Sequence, residues 1–246
     1  MNSKIIIAID AMGGENAPSK NIEGVALFLK KNKNKDDFFF NLFGDEMSIK
    51  SELDKHNISN NFYKIFPSST VVSDEETPLT AIKNSKDSSM WNSINSQIVS
   101  NSNITLSAGN TGVLFVVSRM LLKTIESVSK PALAGLWPNE KNMNVVLDLG
   151  ANVECDDKNL IDFSEMGAAL YKALFPEDTP KVALLNIGSE EIKGTETLKK
   201  SYSKLKEISK FGDFEFNGFI EGSKITHGDS NVIVTDGFTG NIALKT

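Results

Sequence analysis

Cysteine, histidine and surplus positive charge are all scarce in this 246-residue chain, and each scarcity removes a class of function. One cysteine, Cys155, allows no internal disulfide, so the composition is compatible with a reducing cytoplasm. Two histidines, His56 in a charged segment and His227 in a polar turn, form no closely spaced pair, and no metal site is expected. A formal charge of −6 gives no broad attraction for nucleic acid, and no nucleic-acid partner is expected. Long hydrophobic runs are missing as well. Val113 to Leu122 is too short to span a bilayer, and Asp10 interrupts the first apolar run before a signal-peptide core could form. Two nucleotide motifs are absent: Gly-x-x-x-x-Gly-Lys-Ser/Thr anywhere, and Gly-x-Gly-x-x-Gly after the first strand. Ser107 lacks the nucleophile-elbow pattern of a serine hydrolase.

What is present is a repeated local grammar. Ile104–Ser107 reads as a short buried strand, Ala108-Gly109-Asn110-Thr111-Gly112 as a tight loop, and Val113–Leu122 as a helix. The first amides of such a helix have no intrahelical acceptor and can receive an anion. Three further apolar strands end alike: Val145–Leu149 before Gly150-Ala151-Asn152, Val182–Ile187 before Gly188-Ser189-Glu190-Glu191, and Val232–Thr235 before Asp236-Gly237-Phe238-Thr239-Gly240-Asn241. The continuously apolar Ile5–Ile9 leads into Asp10-Ala11-Met12-Gly13-Gly14. Strands ending this way suggest one composite site at the carboxyl edge of a parallel sheet.

The elements alternate. Helices are expected from Ser19, with that serine as cap, around Met47–His56, opening at Thr77-Pro78, through Met90–Ile98, and over 159–174 and 195–208. Strands are expected at Phe38–Phe43, Phe62–Phe66, Ala132–Leu136 and Phe214–Ile220. With 40% apolar and 24% charged residues, the chain is a globular α/β protein, built as one broad domain or two closely joined lobes. The helix after Gly112 is apolar on nearly every side, so cover by both the sheet and another layer, such as a partner subunit, is expected there, with Arg119 needing an acceptor or a route to solvent. Asn241–Thr246 reads as the first turns of a helix cut short, which suggests a fragment.

The candidate donors to a small tetrahedral anion are Asn110, Thr111, Asn152, Lys193 and Asn241. Lys193 is either a free cation in the strand-end layer or a partner of Glu190 or Glu191. Asp10, Asp148 and Asp236 either orient neighbours, bind a cation or cap backbone. Lys86 with Asp87-Ser88-Ser89 either meets an anion or merely precedes a capped helix, and Cys155 is either a thiol nucleophile or a bystander. An apolar acyl groove could use Phe115, Met120 or Phe238, which core packing explains equally well for the first two.

At these loops the sequence resembles the bacterial phosphate acyltransferase family of phospholipid synthesis. The matching blocks are Asp10-Ala11-Met12-Gly13-Gly14 with Ala17-Pro18, Lys86-Asp87-Ser88-Ser89-Met90, and Ser107-Ala108-Gly109-Asn110-Thr111-Gly112. They continue with Leu147-Asp148-Leu149-Gly150-Ala151-Asn152, Leu184 to Gly194, Glu221-Gly222, and Asp236 to Asn241. Glu15 departs from the family's usual Asp, and relatives continue beyond Thr246. The resemblance implies one phosphate acyltransferase domain over 1–246, with its carboxyl-terminal portion missing. It implies a three-layer α/β/α fold akin to phosphotransacetylase and the isocitrate and isopropylmalate dehydrogenases, and no cofactor. The implied reaction joins the acyl group of a long-chain acyl-acyl-carrier protein to inorganic phosphate. Lys193 and Asn241 would be catalytic, with Asp10, Gly13, Gly14, Lys86, Ser107, Asn110, Thr111, Gly112, Asn152 and Asp236 binding phosphate or substrate. A homodimer, a cytoplasmic location with peripheral contact at the inner face of the membrane, and a link to glycerol-3-phosphate acyltransferase are also implied. Carrier docking would use Lys83, Lys86 and Arg119. The alternatives are a phosphotransacetylase-like enzyme using acyl-coenzyme A, a metal-dependent hydroxy-acid dehydrogenase, and a non-catalytic fragment that binds carrier protein or dimerises.

Overall fold

Ile5 to Asp10 stays apolar up to its last residue and forms β1 (Ile5–Asp10), whose central position in a sheet explains that pattern. The computed structural model describes residues 4–73, 75–77, 80, 85–99 and 101–246. They fall into two units, Met1–Lys123 and Thr124–Thr246. The helix start at Thr77-Pro78 and the docking residue Lys83 involve positions 78–79 and 81–84, which lie outside the described residues.

In the first unit β1 pairs in parallel with β2 (Phe38–Gly44) and β4 (Ile104–Ser107), and β2 pairs in parallel with β3 (Tyr63–Pro67). On one face α1 (Ser19–Lys31) and α2 (Glu46–Lys55) bury Ile22, Val25, Ile49 and Leu53 against Ile9, Phe40 and Leu42. Each such side chain contributes about 1.5–3 kcal/mol relative to exposure. The other face carries α3 (Ser89–Ile98), whose Met90 and Ile94 meet Val113 and Val117 of α4 (Thr111–Leu122). Because all four strands are parallel, the loops after β1 and β4 leave from one edge, and the register sets Asp10 opposite Ser107.

One expectation for this unit is corrected. Ser19 does not cap α1. The N-cap is Pro18, already at helical dihedrals, and Ile22 N–H bonds the Pro18 carbonyl, so Ser19 lies inside the first turn. Within this chain α4 buries only Val113 and Val117, one stripe at i and i+4, and Arg119 is exposed. Arg119 thus has the route to solvent that the sequence required of it.

In the second unit β6 (Met143–Leu147), β9 (Val232–Val234), β7 (Lys181–Leu185) and β8 (Glu215–Ile220) run parallel in that order. α5 (Asp157–Leu174) and α6 (Glu196–Ile208) cover one face with Leu160, Phe163, Tyr171 and Leu205. Ile225, Leu133 and Trp137 pack on the other, against Val146, Ala183 and Ile233. The connecting strand is β5 (Ala134–Pro138), two residues later than expected. It lies antiparallel to β6 at the edge of the sheet, the one place where Pro138 costs no ladder bond. β6 and β7 stop two residues earlier than expected, at Leu147 and Leu185, because Asp148 and Asn186 turn the chain with their own side chains. α7 (Gly237–Lys245) starts before the expected Asn241, so the segment read as a loop is a capped first turn. Among the described residues no helix is long and apolar enough to cross a membrane.

Candidate active site

In the first unit, the loops after β1 and β4 are tied together by side chains from their strand ends. The Ser107 hydroxyl donates to Asp10 Oδ2 at 2.7 Å and accepts the Gly109 N–H at 3.1 Å. Gly13 sits against both Asp10 Oδ2 and the Gly109 amide, where a side chain would not fit. Gly14, beside it, packs on Ala108. Asn21 in α1 donates to the carbonyls of Ala11 at 2.9 Å and Gly13 at 3.0 Å. Sequence reading missed Asn21; an amide in the first turn after a double-glycine loop was the only available signal. Asn110 caps α4 by accepting the Val113 N–H at 3.1 Å, and its Nδ2 donates to the Glu76 carbonyl at 3.1 Å. Thr111 and Gly112 are the exposed backbone at that helix start. Lys86 is exposed in the turn before α3, which is capped by Ser88 through the Trp91 N–H at 3.1 Å.

Asp10 is therefore part of the loop's internal bracing, 1% exposed. Its Oδ1 has no hydrogen-bond partner among the described residues. Burial raises its pKa above the ordinary 3.8, while the neighbouring hydroxyls of Ser89 and Ser107 and the amides of Met12 and Gly13 pull the other way. A raised folded-state pKa means that Asp10 contributes stability which is complete below pH 3.8 and is lost as pH rises through the folded value. The expected result is that Asp10→Asn gains stability relative to wild type between pH 4 and pH 7, measured by urea unfolding. A variant that loses ground over that interval would contradict the assignment.

In the second unit the parallel strands send the loops after β6, β7 and β9 to one edge. Asp148 opens the first. Its side chain accepts the N–H groups of Leu133, Gly150 and Ala151 on Oδ1, and the Asn152 N–H and Nδ2 on Oδ2. Asn152 is buried, with Nδ2 donating to Asp148 and to the Pro131 carbonyl at 2.7 Å. Its side-chain donors are thus spent inside the protein, one on its own loop and one on the chain before β5. Asn186 opens the second: Oδ1 accepts the Ile187 N–H at 2.8 Å and Nδ2 donates to the Lys193 carbonyl at 3.2 Å. Asn186 lies in the matching stretch Leu184 to Gly194, and its hold on Lys193, seven residues on, leaves no trace in the sequence.

The choice left open at Lys193 is resolved by its neighbours. Glu191 accepts from Tyr202 Oη at 2.6 Å and Lys206 Nζ at 3.0 Å, and those partners hold its carboxyl below the usual range. Lys193 is exposed and forms no ion pair with the described residues; its stem lies near Gly188, alongside Glu190. The third loop is short. Asp236 caps α7, accepting the Thr239 N–H at 2.8 Å and the Thr239 hydroxyl at 2.9 Å. Asn241, half-buried in α7, packs against Gly150.

These loops border an open cavity of about 1120 Å³, larger than the roughly 300–1,000 Å³ usual for ligand pockets. Leu160, Leu185, Ile187, Leu198, Phe238 and Ile242 form its apolar lining, and Asn186, Asp236, Glu154, Thr195, Thr197 and Thr239 are polar points on it. Cys155 also lines it. Burial pushes that thiol up to about 11, so it is neutral near pH 7 and lacks the thiolate that a nucleophile needs. Phe238, named for an acyl groove, is on this wall; Phe115 and Met120 belong to α4 in the other unit.

Parallel α/β units with polar, glycine-bearing strand ends define a protein of the phosphotransacetylase-like fold. The EutD phosphotransacetylase from Staphylococcus aureus superposes with a TM-score of 0.69 at 16% identity, covering 98% of this chain and 81% of that one. A branched-chain phosphotransacylase from Enterococcus faecalis gives a TM-score of 0.56 at 16% identity over 98% of this chain and 83% of that one. At such identities the likeness concerns the fold. The sequence is more specific: residues 5–246 match the family model described as "Fatty acid synthesis protein", and the chain belongs to the phosphate acyltransferase family. It is 53% identical to the phosphate acyltransferase of Pelagibacter ubique over 99% of its own length and 72% of that protein's. It is 38% identical to that of Caulobacter vibrioides over 100% and 67%, and 42% identical to that of Erythrobacter litoralis over 97% and 66%.

Proposed function

We propose that the protein transfers a long-chain fatty acyl group from acyl-carrier protein to inorganic phosphate. The observation carrying this reading is the apolar cavity of the second unit, whose wall residues Gly194 and Ile242 adjoin Lys193 and Asn241 in the chain. A phosphate oxygen attacks the thioester carbonyl, a C–O bond forms, and the C–S bond breaks. The carrier's thiolate leaves and takes up a proton. Lys193 balances the charge of the phosphate, and Asn241 with Lys193 stabilises the oxyanion that develops on the carbonyl. The apolar walls take the acyl chain, whose entry displaces water and strengthens both interactions. Neither an acyl-enzyme nor a cofactor enters the scheme. The product is a mixed anhydride suited to a glycerol-3-phosphate acyltransferase, and a dimer at the inner membrane face would deliver it there.

The test supplies long-chain acyl-carrier protein with labelled phosphate and follows labelled acyl phosphate. Product from the carrier-bound donor, with free carrier released in equal amount, is expected. Product from acyl-coenzyme A alone would overturn the choice of donor, and no product from either would overturn the reading.

A further inference from the structure

Asp10 ends β1 and Asp148 follows the last residue of β6; among the described residues Asp10 has only one carboxyl oxygen filled and Asp148 has both. Five N–H donors from Leu133, Gly150, Ala151 and Asn152 converge on it at 2.7–3.2 Å, and the residue is 0% exposed. A carboxylate enclosed by donors has no free face for a cation or a substrate, so the chemistry it supports is the shape of its own loop. That loop meets α7 at three places. The Gly237 N–H bonds the Asn152 carbonyl at 2.8 Å, Gly240 rests on the Asp148 carbonyl, and Gly150 faces Asn241. At the last of these, a Cβ added to Gly150 would stand 3.3 Å from Asn241 Cβ and 3.6 Å from its Oδ1. Asn241 is thereby packed on a surface whose backbone path Asp148 dictates.

We propose that Asp148 is a positioning residue for Asn241, acting through the Asp148–Asn152 loop, an inference that rests on the catalytic role given to Asn241 above. Loosening the cage leaves the cavity and Lys193 in place and moves the Asn241 amide from its working position. Small displacements of this kind cost turnover more than affinity.

The test compares Asp148→Asn and Asn152→Ala, each in the wild-type and the Asn241→Ala background. Asn152→Ala removes one of the five donors, along with the Nδ2 bond to the Pro131 carbonyl, and keeps the four backbone N–H donors, so it serves where Asp148→Asn does not fold. In the wild-type background kcat should fall about 10-fold or more, with KM for phosphate and acyl-carrier protein changed less than about 2-fold. In the Asn241→Ala background the same substitutions should lower kcat by less than about 2-fold. Equal losses in both backgrounds, or unchanged kcat in the wild-type background, would overturn the proposal. A second readout needs no turnover: the side-chain amide resonance of Asn241 should shift or broaden in both cage variants. An unmoved resonance also overturns it, whereas a moved resonance in a protein making no acyl phosphate would count against the proposed reaction alone.

Discussion

If the proposed reaction holds, Lys193→Ala should lower the rate of acyl phosphate formation by about 100-fold and leave the unfolding midpoint near that of wild type. The kinetic part follows from the position of the ammonium. It is exposed, without an ion pair among the described residues, on a loop adjoining the cavity wall. Removing one preorganised donor from a site where negative charge develops costs on the order of 3 kcal/mol, or about two powers of ten in rate. The structural part follows from how the loop is held. Asn186 and the Glu190 carbonyl bind the backbone of Lys193, and Glu191 ties the loop to α6 through Tyr202 and Lys206. None of these bonds uses the Lys193 side chain, so its loss falls within the roughly 0.5 kcal/mol typical of surface substitutions. Asn241→Ala should show a similar kinetic loss with a somewhat larger effect on stability, because its side chain packs on Gly150. Steady-state kinetics beside urea unfolding separates the two effects. Near-normal turnover in both variants would remove both residues from the catalytic assignment.

The strands were legible because buried parallel strands show themselves as unbroken apolar runs, and Ile5–Ile9, Val182–Leu185 and Val232–Val234 all do. Their ends were less legible. The runs Val145–Leu149 and Val182–Ile187 continue past the ladder because Asp148 and Asn186 divert the backbone, and a side-chain bond to a neighbouring loop leaves no periodic trace. Capping was readable to within a residue at α3, where Asp87 or Ser88 could serve and Ser88 does, and failed at Ser19, where Pro18 begins the turn first. The site shows the same division. Small and polar residues marked the strand ends, but the single sheet edge expected for them is two: β1 and β4 end in one sheet, and β6, β7 and β9 in another. The roles within each loop depended on partners far along the chain. Glu191 is occupied by residues 11 and 15 positions later, which spacing around Lys193 could not reveal. Asn152 likewise read as a donor to substrate until its burial and its bond to Pro131, 21 residues earlier, were seen.

Gly240→Ala should destabilise the protein by about 3 kcal/mol or more, against the direction that helix propensity gives. Both Gly240 and Gly24 lie inside helices, α7 and α1, where alanine is favoured over glycine by about 1 kcal/mol. For Gly24 that preference acts alone, since an added Cβ meets nothing within 4 Å, and Gly24→Ala should stabilise by up to about that amount. At Gly240 an added Cβ would be driven onto the carbonyl oxygen of Asp148 and within 3.1 Å of Thr235 Cγ2. Neither the carbonyl nor its strand end can retreat. The Asp148 N–H is bonded to Thr235 at 3.0 Å, Thr235 N–H to Leu147 at 2.8 Å, and the Asp148 side chain to its own loop. Overpacking against flexible side chains costs about 1–3 kcal/mol, and against a braced backbone the upper end or beyond is expected. Urea unfolding of the two variants side by side should therefore give opposite signs for one chemical change. Stabilisation at both positions would mean that the β6 loop yields to α7, and the close seating of Asn241 on Gly150 would lose its physical basis.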